Sequence, residues 1–346
     1  MIDRRKFLQS SALAGAAVIV PASLAAEPEK NKRKLIKPPA LKMGDTIGLI
    51  APASPLFEVH RTLIEAKEKM QNLGFKTKTA SNATKKLGYL AGTAQERVDD
   101  LHAMFLDDEV KAIIAIRGGY GSAQMFPLLD YKLIANNPKI LVGYSDITSL
   151  LIGIHEKTGL VTFHGPVATS TFTDFTKEYF IKALTSTNPV GIIADAPYHD
   201  NLQTTNRVWT YRGGIAEGEL IGGTLILMQT TLGTPYEFNS DGAILFIEEV
   251  SEEPYAVDRM LNHLKQAGKF DKCKGVVFDK MASIKSNGNS LSVEEVIEQV
   301  FKDFDFPVCI GLSLGHIKDK PTLPIGIQAR LDADKGQLSL LEGAVV

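Results

Sequence analysis

Between Thr46 and Pro166 the chain alternates continuous apolar runs with segments of helical period, and this alternation narrows the possible folds sharply. TIGLIAP, VKAIIAIR, KILVGY and LVTFHGP are rich in Val, Ile and Leu, without the alternating polar residues of a half-exposed strand. FKTKTA is a further candidate strand. Between the strands, Val59, Leu63, Ala66, Met70 and Leu73 recur at helical spacing up to Gly74, and Val98, Leu101 and Phe105 share one face of a helix over residues 94–106. Strands that are apolar on both faces need cover on both, and helices in the connections supply it. The prediction is a parallel sheet of the flavodoxin or Rossmann type over residues 41–166.

After Pro166 the pattern changes. Residues 167–212 contain a polar stretch, Asp195 to Arg212, with few apolar periods, and read as a linker region. Residues 213–346 then offer GELIGG, AILFIEEV, KGVVFDK and FPVCIGL as short strands, helices near Ala256 to Gly268 and Val293 to Phe304, and a β-rich end. The whole is an α/β protein with a smaller, β-rich C-terminal domain.

The 38 Lys and Arg residues nearly balance 40 Asp and Glu, for a net charge of -2, so no global field favours nucleic acid or an anionic membrane. Two cysteines, Cys273 and Cys309, are too few for a disulfide framework or a Cys-rich zinc site, and both adjoin apolar strands as buried thiols would. No metal motif is present. AIIAIRGGYG follows a strand, yet it lacks the G-x-G-x-x-G spacing, and the next strand ends in Gly143-Tyr144 and not in an acidic residue, so no dinucleotide cofactor is expected.

Residues 2–26 form a separate unit. Arg4 and Arg5 precede Phe7 and Leu8, a small-residue apolar run from Ser11 to Val20, and Ser23-Leu24-Ala25. This is the layout of a signal peptide cut before Ala26, and the paired arginines resemble a twin-arginine export signal. The ten-residue run is about half of what a membrane span needs, so a stable anchor is the weaker reading. Residues 26–40, including the basic run from Lys30 to Lys37, are a solvated leader. Removing residues 1–25 takes away Arg4, Arg5 and Lys6 with Asp3, which moves the net charge from -2 to -4. A periplasmic protein is expected.

Three strand ends carry reactive side chains. In ILVGYSDITSLL, Ser145 lies where a strand turns into a helix, among unpaired N–H groups at the positive end of the helix dipole. That position suits a nucleophile, and it equally suits an N-cap made by Ser145 or Asp146. AILFIEEV ends in Glu248 and Glu249, of which strand alternation sends only one toward a cleft. LSLGHIKDKPTLPIG places His316 in a loop after an apolar strand, and His164 ends another. A serine, a carboxylate and a histidine at strand ends, without a metal motif, form a candidate hydrolytic set. Gly118, Gly119 and Gly121 add N–H groups that a ligand or an oxyanion can approach.

GDTIGLIAPASP, RGGYG, GYSDIT, GELIGGTL with LGTPYEF, IEEVSEEPYAVDRML and GH followed by TLPIG resemble, in this order, the motifs of the LD-carboxypeptidases of serine peptidase family S66. The resemblance spans about residues 40–330. It implies a Ser145-Glu248-His316 triad, an oxyanion hole at the N–H groups of Asp146 and Gly119, no cofactor, and a homodimer. It further implies removal of a terminal D-alanine from a cell-wall tetrapeptide, with a branch that hydrolyses peptide antibiotics of the microcin C type. A carboxypeptidase must also bind a free carboxylate; Arg117 is the candidate, with Tyr144 beside the serine, and a salt bridge at the sheet end is the structural alternative for Arg117. Lys320 and Thr224 depart from the family, which commonly has asparagine at both places. A periplasmic binding protein would share the layout and the signal, but has no use for the Ser, Glu and His.

Overall fold

The computed structural model describes residues 34–196, 208–281 and 283–346. The signal peptide expected over residues 1–25 lies outside them. Among the described residues no helix is long and apolar enough to cross a membrane.

The first half runs β1 (Thr46–Ile50), α1 (Val59–Asn72), β2 (Lys76–Thr79), α2 (Ala94–Leu106), β3 (Val110–Ala115), α3 (Tyr131–Asn136), β4 (Ile140–Gly143), α4 (Thr148–Thr158) and β5 (Thr162–His164). Local chemistry sets the boundaries. Thr93 and Glu96 form a capping box at the start of α2: Glu96 N–H donates to Thr93 Oγ1 at 3.2 Å and Thr93 N–H donates to Glu96 Oε2 at 2.8 Å. Gly159, with φ 77°, ends α4 in the left-handed conformation that glycine adopts without strain.

The second half continues with α5 (Asp174–Thr185), β6 (Gly191–Ile193), β7 (Trp209–Arg212), β8 (Ile215–Thr224), α6 (Leu225–Gln229), β9 (Ala243–Glu248), α7 (Pro254–Gln266), β10 (Gly275–Asp279), α8 (Val293–Phe301), β11 (Val308–Leu312), β12 (Leu323–Ile325), β13 (Gln328–Asp332) and β14 (Gln337–Leu340). The segment read as a linker is therefore partly structured: α5 buries Tyr179, Phe180, Ala183 and Leu184, and β6 and β7 become the two edges of a sheet. Its sparse apolar residues are spaced for one helix and two edge strands, which need only a few buried positions.

The strands form two sheets. In the first, β2-β1-β3-β4-β5 run parallel in the flavodoxin order, and β12 adds antiparallel to β5. The second has the order β6-β14-β13-β8-β9-β10-β11-β7, with β8, β9, β10 and β11 mutually parallel and the other four pairings antiparallel. The first sheet has six strands and the second eight. The chain passes directly from one sheet to the other between β12 and β13, where Gly326 N–H donates to Leu220 O at 2.9 Å and Leu220 N–H to Ile327 O at 2.8 Å. Helix α4 also touches both, since the buried His155 ring contacts Glu219 of β8 through Nε2 at 3.0 Å. These ties hold the carboxyl ends of β4, β8 and β9 close together.

Candidate active site

Gly143 ends β4, and the chain turns through Ser145–Ile147 into α4. Ser145 takes φ 62°, a left-handed conformation that costs a non-glycine residue about 1 kcal/mol or more, and the surrounding packing must hold it there. The turn places the serine at the head of α4, among the first N–H groups of the helix. Neither Ser145 nor Asp146 caps α4 through its side chain. The buried Asp146 carboxylate instead reaches the glycine loop after β3, accepting from Gly121 N–H at 3.2 Å and from Ser122 N–H at 2.8 Å. Ser122 Oγ donates back to Asp146 O at 2.5 Å. Arg97, 2% exposed, braces the same loop by donating to Pro52 O, Gly121 O and Gln124 Oε1, each at 2.8 Å. The loop presses on the serine: a Cβ added at Gly118 would stand 3.0 Å from Ser145 Cβ. Gly119 takes φ 129°, closed to side chains, and Tyr120 N–H donates to Ser54 Oγ at 3.1 Å.

Glu248 ends β9 and is fully buried. Its Oε2 accepts from His316 Nδ1 at 2.7 Å, which leaves Nε2 as the histidine's remaining nitrogen. Gly315 permits this approach, because a Cβ there would lie 2.6 Å from Glu248 Cβ. Thr224 Oγ1 donates to Glu248 Oε1 in a short hydrogen bond. Thr224 N–H donates to Thr148 Oγ1 at 3.2 Å, and the two threonine hydroxyls are 3.3 Å apart. Burial pushes the Glu248 carboxyl upward, but the His316 hydrogen bond and charge and the Thr224 hydroxyl bring it below its ordinary value. Glu249 faces elsewhere. It accepts from Ile226 N–H at 3.0 Å and Val250 N–H at 2.9 Å, and burial raises its carboxyl to about 7. His164 is buried with Nε2 on Leu314 O at 3.1 Å, and burial lowers its pKa to about 4, so it remains neutral.

A cleft of about 500 Å³ opens at the carboxyl ends of β3 and β4. Ser145, His316, Arg117, Gly118, Gly119 and Tyr144 line it, with Phe57 at one wall. It adjoins the switch point between β1 and β3, where ligands bind in sheets of this order. Among the described residues Arg117 makes no salt bridge: Nη1 donates to Pro55 O and Nε to Gly118 O, each at 3.2 Å, and the guanidinium lies 4.3 Å over the Phe57 ring. Of the residues singled out in the sequence, Ser145, His316, Arg117, Gly118, Gly119 and Tyr144 thus share one cleft, with Glu248 behind His316, the Asp146 side chain turned into the protein and Glu249 directed away. Among the described residues no cluster of His, Cys, Asp or Glu could hold a metal ion.

Three contributors escaped the sequence reading: Thr148, Arg97 and the side chain of Asp146. Thr148 follows Ser145 by three residues, one helical turn, which is a usable signal. Arg97 reads only as a polar member of a helix.

Residues 47–165 match the LD-carboxypeptidase N-terminal domain of peptidase family S66, and residues 217–331 match the corresponding C-terminal domain. The chain belongs to the S66 peptidase family. It is 40% identical over 307 residues to a probable murein peptide carboxypeptidase of Bacillus subtilis, covering 86% of this chain and 91% of that one. It is 30% identical over 327 residues to the microcin C7 self-immunity protein MccF of Escherichia coli, covering 87% and 94%. Among solved structures, MccF in complex with glutamyl sulfamoyl guanosine superposes with a TM-score of 0.81 at 29% identity, over 90% of this chain and 99% of that one. A muramoyltetrapeptide carboxypeptidase from Oxalobacter formigenes gives 0.73 at 28% identity, over 85% and 97%. This S66 peptidase therefore has the two-domain α/β fold of MccF.

Proposed function

We propose that this S66 peptidase is a serine L,D-carboxypeptidase that removes a terminal D-alanine from cell-wall tetrapeptides. The observation that carries the reading is the 2.7 Å His316–Glu248 contact beside a serine held at φ 62° in the same cleft. Ser145 Oγ attacks the carbonyl of the last peptide bond as its proton passes to His316 Nε2. Glu248 keeps the proton on Nδ1 and steadies the imidazolium. The N–H groups of Gly119 and Asp146 receive the oxyanion, each donor being worth about 3 kcal/mol in reactions of this kind. His316 then gives its proton to the amine of the leaving D-alanine. A water activated by the same histidine releases the acyl group from Ser145.

The purified protein is expected to release D-alanine from a disaccharide tetrapeptide without added metal. Ser145→Ala should abolish release with an unchanged melting temperature. Full activity in that variant, or inhibition by a chelator, refutes the serine mechanism.

A second substrate is favoured by the higher structural similarity to MccF: an aminoacyl sulfamoyl nucleoside of the kind bound in that protein's structure. The 40% identity to a murein peptide carboxypeptidase supports the tetrapeptide. Assaying both substrates in parallel decides between them. The signal-like residues 2–26 further support export, which fractionation of cells tests directly, and sedimentation tests the expected homodimer.

A further inference from the structure

Lys320 is a buried cation beside the cleft. The residue is 6% exposed, and its ammonium makes no hydrogen bond or ion pair among the described residues. Its one hydrogen bond uses the backbone, N–H to Thr176 Oγ1 at 3.1 Å. Lys269, the other buried lysine, shows the usual arrangement, with Nζ 2.7 Å from Phe238 O and 2.5 Å from Glu237 Oε1. A buried cation without such partners is costly, and it persists where something compensates for it in the working state.

The surroundings of Lys320 indicate what compensates. Its ammonium lies 4.4 Å over the ring of Tyr144, which lines the cleft next to Ser145 and has its ring centroid 4.8 Å from that of His316. A carboxypeptidase releases a single residue, so the terminal carboxylate lies about one residue length, ~3.5 Å, beyond the bond that is cut. The cation that receives it must therefore stand beside the serine and histidine. Arg117 is also close, but its Nε and Nη1 already serve carbonyls and Phe57 covers its face. All three ammonium donors of Lys320 are available.

We propose that Lys320 receives the terminal carboxylate of the substrate and sets a preference for peptides that end in a free acid. The inference rests on the peptidase reading above. A carboxylate against this ammonium forms a charge-assisted pair in a site with little water to weaken it. Burial lowers the lysine to about 8, against the opposing pull of Glu248 and Asp319, so the charged form persists at neutral pH and is strengthened by an anionic ligand.

The test measures binding by calorimetry in the Ser145→Ala protein, which separates recognition from turnover. The probes are a synthetic cell-wall tetrapeptide ending in D-alanine and its C-terminal amide. The acid is expected to bind about 10- to 100-fold more tightly than the amide. Adding Lys320→Met should weaken the acid to the level of the amide and leave the amide unchanged, while Lys320→Arg should keep part of the preference. The melting temperature of Lys320→Met should equal or exceed that of its parent, since an unpaired buried charge is removed.

The inference is overturned if the preference is absent, survives Lys320→Met, or disappears in a parallel Arg117→Met variant instead. Equal weakening of acid and amide also overturns it. Failure of the unmodified protein to cleave the acid would refute the peptidase reading and leave this binding comparison standing on its own.

Discussion

Thr224 and Glu248 are register partners at the carboxyl ends of β8 and β9, and the threonine hydroxyl donates to the carboxylate oxygen that His316 leaves open. The donors run in one direction. Thr224 gives its proton to Glu248, Thr148 can give its own to Thr224, and Glu248 has both oxygens engaged. Thr148 stands one turn after Ser145, so the network links the serine's helix to the carboxylate that orients the histidine.

Thr224→Val keeps the shape and removes the donor. We expect kcat/KM to fall about 10- to 100-fold, the value of a hydrogen bond to a charged group, and Thr224→Ser to recover most of it. Losing this donor raises the Glu248 carboxyl. The acid limb of the pH–rate profile should therefore move to higher pH in Thr224→Val and return in Thr224→Ser. An unchanged limb refutes this role for Thr224.

The glycine loop gives a second prediction. Asp146→Asn leaves one oxygen for two N–H donors and turns an NH₂ group toward Gly121 or Ser122. A buried donor without an acceptor costs about 1–3 kcal/mol, so the melting temperature should drop. D-Alanine release should fall by at least about tenfold as Gly119 loses its position, because each oxyanion donor must be pre-aimed.

Glu249 predicts a pH dependence of stability. Its folded pKa, about 7, lies above the model-peptide value of 4.5, so the folded state holds the proton more tightly. Below about pH 4.5 this has no effect. Between pH 4.5 and 7 stability declines as pH rises, by ~3 kcal/mol in all from this group, and it levels off above pH 7. Melting curves of the protein and Glu249→Gln should converge or cross in this window, with the variant losing less stability from pH 5 to pH 8. Parallel curves would show that Glu249 is ionised throughout.

The cysteines test burial. Cys273 and Cys309 are both buried free thiols, pushed up by burial to about 11 and about 12. Alkylation at pH 8 should leave both unmodified on the scale of minutes in the folded protein and label two thiols in denaturant. Rapid labelling of either in the native state contradicts the packing described.

The parallel sheet was legible from the sequence because its cause is local. VKAIIAIR and KILVGY are continuous apolar runs broken only by Lys111 and the flanking Arg117 and Lys139, as strands covered on both faces tend to be, and β3 and β4 lie inside them. The capping box at Thr93 and the stop at Gly159 are equally short-range. The reactive trio was legible for a related reason, since Ser145, Glu248 and His316 each follow a recognisable apolar run.

What connects the trio was not legible. Glu248 and His316 are 68 residues apart and Thr148 and Thr224 are 76, and no local pattern states which strand ends will meet. Within 167–212, α5, β6 and β7 were not legible, because edge strands carry few buried residues.

The sequence by itself determined the α/β class, most of the strands and helices of the first half and the strand-end positions of Ser145, Glu248 and His316, because backbone propensity and apolar period act over neighbouring residues. Tertiary structure alone decided that the Asp146 carboxylate braces a loop, that Glu249 turns away while Glu248 meets His316, and that the Lys320 ammonium is buried over the Tyr144 ring. Each of these depends on which groups from distant segments displace water around a side chain, and desolvation is a property of the packed molecule.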